Sequence, residues 1–192
     1  DKKILPTRDI HKHRRHNYQR RRRRRWKPHL PIRATKRGAA MSYTQQGEKI
    51  ALAAREWLGT PHVNGARVKG KGVDCGMLLI GALEDAGVIK KDAIEIAPYS
   101  PEFHLHNRRE WMKEYVEKYC KRIEGKPQKG DFLLYQYGRC CSHAGIYIGD
   151  GCVIHAQLEQ GVILSSFDDV VFYDAKGRSR LRGVYRFQGG PA

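Results

Sequence analysis

The chain has 192 residues, 40% of them hydrophobic, and a formal charge of +17. That is enough apolar material for one packed domain with an appendage, so a wholly disordered chain is excluded. No run of about 18 apolar residues exists, which excludes a membrane-spanning helix; no apolar stretch follows a basic opening, so no signal peptide is expected; and five cysteines, two of them adjacent, favour free thiols over a disulfide framework.

The charge is concentrated at one end. Residues 1–40 hold sixteen Lys or Arg against Asp1 and Asp9, whereas residues 41–192 are nearly balanced. Arg20, Arg21, Arg22, Arg23, Arg24 and Arg25 run consecutively between Tyr18 and Trp26. Such a segment repels itself and has little to bury, so a basic extended arm is expected, disordered unless bound. Met41-Ser42-Tyr43 reads as a natural start, which makes the arm either an upstream extension or an anion-binding element. In the second case nucleic acid, an acidic protein surface or anionic lipid heads are its expected partners. Residues 41–192 are expected to form the domain.

In that domain Ile50, Ala53, Ala54 and Trp57 recur at helical spacing, predicting a helix over 45–58 that Gly59 ends. Residues 60–73, with Pro61, Gly65, Gly70 and Gly72, read as a loop. A second helix is expected over 75–86, with Asp74 as N-cap and Gly87 beyond its end. It is apolar nearly all round and should be buried. Ser100-Pro101 opens a third helix, expected to run to Cys120 with Trp111, Tyr115 and Tyr119 spaced by four. From Lys126 the texture becomes β-rich. Strands are predicted over 132–137, 143–148, 152–156, 162–165 and 181–187, with an Asp150-Gly151 hairpin. Helices first and an antiparallel meander after them give an α+β fold.

Cys75 falls in the first turn of the buried helix. The helix dipole and free N–H groups there should lower its pKa from about 8.5 toward roughly 3.5–7.5 and could hold an oxyanion. A nucleophilic cysteine needs a base, and the base an orienting group. His143 and His155 lie on consecutive predicted strands and can face one side. On spacing alone, a cysteine packed in the core remains an open alternative. A thiolate–imidazolium pair would give a bell-shaped pH profile, with the acid limb set by Cys75 and the base limb by His143.

Four ordered strings carry a resemblance. They are Val73-Asp74-Cys75-Gly76-Met77-Leu78, Lys129-Gly130-Asp131-Phe132-Leu133-Leu134, Ser142-His143-Ala144-Gly145-Ile146-Tyr147-Ile148-Gly149 and Val153-Ile154-His155-Ala156. With Trp57-Leu58-Gly59-Thr60-Pro61 upstream, they resemble the NlpC family of papain-like cell-wall cysteine peptidases, from about residue 50 to 187. The loop Val63-Asn64-Gly65-Ala66-Arg67-Val68-Lys69-Gly70 is similar to members found in bacteriophage tails. The resemblance implies Cys75 as nucleophile, His143 as base and His155 as orienting residue. It places His62, Asp74, Gly76 and Ser142 as substrate or oxyanion supports. It implies no cofactor and no metal. The implied substrate is the peptide stem of peptidoglycan, cut between D-glutamate and diaminopimelate. The implied place is a virion tail, beside other tail proteins, acting in the bacterial wall or periplasm during genome delivery. Two positions depart from the family pattern: His62 stands where Tyr is common, and Gly76-Met77 replaces a small polar residue followed by Gly.

Other readings compete. Cys140, Cys141, Cys152 and His155 invite zinc, but adjacent strand residues point to opposite faces. Asp168-Asp169 reads as a solvated turn rather than a glycosidase dyad. Gly70-Lys71-Gly72 lacks the context of a phosphate loop. A structural or anion-binding tail protein that keeps the fold and uses the arm for assembly is the alternative function.

Overall fold

The computed structural model describes residues 43–106 and 108–189. The Arg20–Arg25 run and the rest of the arm lie outside the described residues. Helix α1 spans Tyr43–Arg55, and a two-strand hairpin follows, β1 Arg67–Val68 with β2 Gly72–Val73. Helix α2 spans Cys75–Asp85, α3 Phe103–His106 and α4 Trp111–Tyr119. The strands then run β3 Cys120–Ile123, β4 Phe132–Tyr137, β5 Cys140–Gly149, β6 Cys152–Gln157, β7 Gly161–Ser166 and β8 Leu181–Phe187. They form one six-stranded antiparallel sheet in the order β3-β8-β4-β5-β6-β7. The expected α+β architecture is what the chain adopts.

Helix α2 is the centre of the core. Cys75 and Leu78 through Leu83 are all buried, packed on Ala144, Ile146, Ile154 and Ala156 of the sheet and on α1. Asp74 caps it: its Oδ1 accepts the Met77 N–H at 2.9 Å. Gly81 makes room for the turn that follows α1, because a Cβ there would lie 2.4 Å from the Trp57 ring. The Trp57 indole N–H in turn donates to Asp85 at 2.7 Å. This seats Trp57-Leu58-Gly59-Thr60 against β7, where Gly59 N–H donates to Val162 O and Val162 N–H to Thr60 O.

Three local expectations change. The first helix ends at Arg55, before the turn at 56–59. The loop over 60–73 contains the β1–β2 hairpin. The long helix to Cys120 is two short helices followed by a strand. Tertiary bonds break it: Glu110 leaves helical geometry and its carboxylate accepts the Cys141 N–H at 2.9 Å, while the His104 carbonyl takes the Arg139 N–H. Cys120 then pairs with Phe187 as the first residue of β3.

Asp131 of the second motif is almost fully buried and pairs bidentately with Arg186, at 2.7 and 2.8 Å. It also accepts the Gln128 N–H. Removing one partner of a buried pair leaves the other charge uncompensated. Asp131→Ala is therefore expected to cost about 3–5 kcal/mol of stability, read as a urea midpoint shift. A loss under about 1 kcal/mol would mean that Arg186 simply turns out to water.

Candidate active site

Each candidate side chain is positioned by a local sequence feature. The cap at Asp74 puts Cys75 at the first position of α2. Its sulfur meets β5 on both sides of His143. The Cys75 S–H lies 3.7 Å from the Ser142 carbonyl oxygen, and the backbone N–H groups of Ala144, Gly76 and Cys75 itself favour a thiolate there. A bulge sets this junction: Tyr135 pairs with His143 and Gln136 with Cys141, leaving Ser142 as the extra residue. Bulges re-aim the neighbouring side chain.

The Asp150-Gly151 hairpin, with φ of 51° and 71°, brings β6 beside β5. His143 Nε2 lies 2.9 Å from His155 Nδ1. The two rings are perpendicular, at 89°. Gly145 makes room for this approach, since a Cβ there would come within 3.3 Å of the His155 Cβ and 2.6 Å of a Val153 methyl. His155 is fully buried, and its Nε2 lies 3.1 Å from Ser165 Oγ on β7. His143 is half-buried. Cysteine, histidine, histidine and serine thus follow one another across α2, β5, β6 and β7. Ser165 has no sequence signal of its own; only the β6–β7 register, with Ile154 opposite Leu164 and Val153 opposite Ser165, puts it there.

The supporting residues divide. Gly76 presents its N–H to the sulfur. His62 forms an isolated bridge with Val73 and lies near enough to disfavour charge on His143. Asp74 is otherwise occupied: besides the cap, its Oδ2 accepts the Gly65 N–H at 2.6 Å and the Tyr99 hydroxyl. It positions the cysteine turn and offers nothing to an oxyanion. Ser142 contributes its carbonyl; its hydroxyl donates to the Tyr137 carbonyl at 2.9 Å. Tyr99 is a residue the sequence does not flag. It ties the 94–103 segment to the Cys75 turn and packs on Trp111, 4.9 Å between centroids.

The electrostatics reverse the expectation for Cys75. Burial, then the Asp74 carboxylate, pushes its thiol up to about 12. Burial pushes His143 down to about 3, with His155 and His62 adding to it, and His155 down to about 4. A helix N-terminus is worth about 0.3–1 kcal/mol to a charge, whereas desolvation moves a buried group by up to 3–5 pKa units. Desolvation outweighs the helix terminus and favours a neutral thiol and neutral imidazoles. Neutral rings admit a simple tautomer assignment. If His143 carries its proton on Nε2 and donates to His155 Nδ1, His155 donates to Ser165 and His143 Nδ1 keeps a lone pair for the thiol proton.

Comparison with known proteins identifies the family. Residues 59–180 match the NlpC/P60 family. A probable endopeptidase of Haemophilus influenzae is 30% identical over 140 residues, covering 68% of this chain and 75% of the relative. A probable endopeptidase NlpC homolog of the same organism is 27% identical over 124 residues, covering 64% of this chain and 56% of that protein. Among solved structures, NlpC2 from Trichomonas vaginalis superposes with a TM-score of 0.52 at 18% identity, over 74% of this chain and 46% of its own. The last likeness is one of fold, and this chain spans less than half of that protein's length. The match over well more than half of the chain, together with a 30% identical relative, places the chain in the NlpC/P60 family of cysteine peptidases.

Proposed function

We propose that this protein is a peptidoglycan endopeptidase with Cys75 as nucleophile, His143 as general base and His155 as orienting residue. The observation that carries the reading is the Cys75 sulfur seated on β5 against the backbone of Ser142 and Ala144, the residues that flank His143, together with the contacts His143 Nε2–His155 Nδ1 and His155 Nε2–Ser165 Oγ. In this reading His143 Nδ1 takes the thiol proton as sulfur attacks the scissile carbonyl. The N–H groups at the start of α2 receive the oxyanion. His143 returns the proton to the leaving amine, and water then releases the acyl group from sulfur by the same route. The names of the Haemophilus relatives, both probable endopeptidases, support the reaction class.

The finer reading is cleavage between D-glutamate and diaminopimelate by a phage tail component that opens the wall for genome delivery. Its support is the sequence resemblance alone, the loop at 63–70 for the tail in particular. The test is digestion of purified sacculi followed by mass spectrometry of the soluble products. New amino termini on diaminopimelate, with D-glutamate left at the carboxyl end of the other fragment, are expected. New reducing sugar ends, or no soluble fragments at all, would overturn the reading.

A further inference from the structure

Beside the candidate site the fold holds a polar hollow of about 200 Å³, walled by Gln136, Asp174, Arg178, Ser179, Arg180 and Arg182. Three guanidiniums meet one carboxylate there, and that carboxylate is committed. Asp174 pairs with Arg178 at 2.7 Å and accepts the backbone N–H groups of Lys176 and Arg178. Among the described residues, Arg180 and Arg182 donate to neutral oxygens. Arg180 donates to the Tyr173 and Gln136 carbonyls. Arg182 donates to Gln136 Oε1 at 2.7 Å and to the Ser179 and Leu181 carbonyls. Such bonds fix a guanidinium in place without neutralising it. A fixed, uncompensated guanidinium is preorganised for a planar anion.

The hollow is joined to the site in two ways. The Arg180 guanidinium sits 4.4 Å over the Tyr137 ring, and that ring lies 5.4 Å from the His143 ring. The sheet also bulges twice around one β4 residue. Tyr135 pairs with His143 across the bulge at Ser142, and with Leu181 across a bulge at Arg182, since Leu134 pairs with Gly183. The strands on either side of Tyr135 thus each carry an extra residue, one turning His143 and the other presenting Arg182.

We propose that Arg180 and Arg182 form a carboxylate-binding subsite that selects substrates bearing a free carboxylate near the scissile amide. This rests on the peptidase reading above and names the group it recognises. The bonds to neutral oxygens engage Nε and Nη1 of both side chains, so a carboxylate would take its N–H bonds from the Nη2 groups of Arg180 and Arg182, one oxygen to each; a carboxamide puts an NH₂ donor against one of them.

The test uses the full chain and two synthetic stem peptides that differ only in a glutamate α-carboxylate or its carboxamide. A charged hydrogen bond is worth more than a neutral one, so wild type should prefer the acid by about tenfold or more in kcat/KM. Arg182→Gln, at an exposed position, should bring that ratio to about one, and Arg180→Lys should lower it in the same direction. Equal cleavage of both peptides by wild type, or an unchanged ratio in Arg182→Gln, overturns the subsite. If wild type cleaves neither peptide, the peptidase reading falls separately. The subsite is then judged by NMR of the Arg182 side-chain N–H under glutarate: a saturable shift, lost in Arg182→Gln, supports it, and no shift overturns it. Inorganic phosphate is the control for a general anion site. Phosphate binding as tight as glutarate, together with equal peptide cleavage, counts against carboxylate selection.

Discussion

Cys75→Ala is expected to reduce release of peptide fragments from sacculi to background. Removing a nucleophile that works as one unit with its base costs about 10⁶-fold in kcat in a comparable hydrolase, and His143→Ala should cost nearly as much. His155→Ala should cost less, on the order of 10⁴-fold, because water can reach part of the way into the orienting role. Its partner gives a finer check. Ser165 meets the far nitrogen of His155, at 3.1 Å, so Ser165→Ala should lose about tenfold, the worth of one net hydrogen bond. The order Cys75, His143, His155, Ser165 follows the order of these residues outward from the sulfur across α2, β5, β6 and β7. The folding midpoint of Cys75→Ala should stay close to wild type, since the sulfur occupies a small volume at the head of α2. Near-normal activity in Cys75→Ala would remove the cysteine from the mechanism. Equal losses at all four positions would mean that the histidines and serine act by holding the fold, and the urea midpoints would then fall in parallel.

The hydrophobic periods of 45–58 and 75–86 were sufficient for α1 and α2, because both helices bury a face whose pattern is local. The cap at Asp74 and the turn at Asp150-Gly151 were legible for the same reason: the residue types have a backbone conformation of their own. What was illegible depends on partners far along the chain. Trp111, Tyr115 and Tyr119 have helical spacing, yet nothing near them announces that Glu110 will bond Cys141 and break the helix. Cys120 looks like a helix end and becomes a strand because Phe187 lies beside it. The site divides the same way. Cys75, His143 and His155 are found by their motifs. Ser165, Tyr99 and the bulges at Ser142 and Arg182 exist only once the register of the sheet is set. The thiol's electrostatics failed for a related reason: a helix start can be read from sequence, but the depth at which it is buried cannot.

That depth gives the second large effect. In the substrate-free protein, alkylation of Cys75 by iodoacetamide should keep rising from pH 6 to pH 9, by close to tenfold per unit, with no plateau. The thiol is pushed up to about 12 and His143 down to about 3, so thiolate is scarce throughout this range and its fraction climbs with pH. A preformed thiolate–imidazolium pair would instead be labelled at a constant rate from about pH 5 upward, and such a plateau would restore the reading from the helix dipole. The limbs of any activity profile change owner as well. A neutral pair is lost in acid when imidazole gains a proton and in base when the thiol loses one. Stability carries the same signs. His155 is fully buried and its pKa falls from 6.5 to about 4 on folding. The unfolded chain therefore binds the extra proton first. The stability His155 supplies is complete above pH 6.5 and is lost as pH falls toward 4. Its share of that loss by pH 4.5 is about 2–3 kcal/mol. Cys75 acts in the opposite window: its contribution is complete below about pH 9 and is lost from there toward 12. Urea titrations of wild type and His155→Gln at pH 7 and pH 4.5 measure the first window directly. The wild-type midpoint should fall more steeply with acid than that of His155→Gln. Parallel falls would place the proton uptake elsewhere in the domain and leave His155 free to ionise in the folded state.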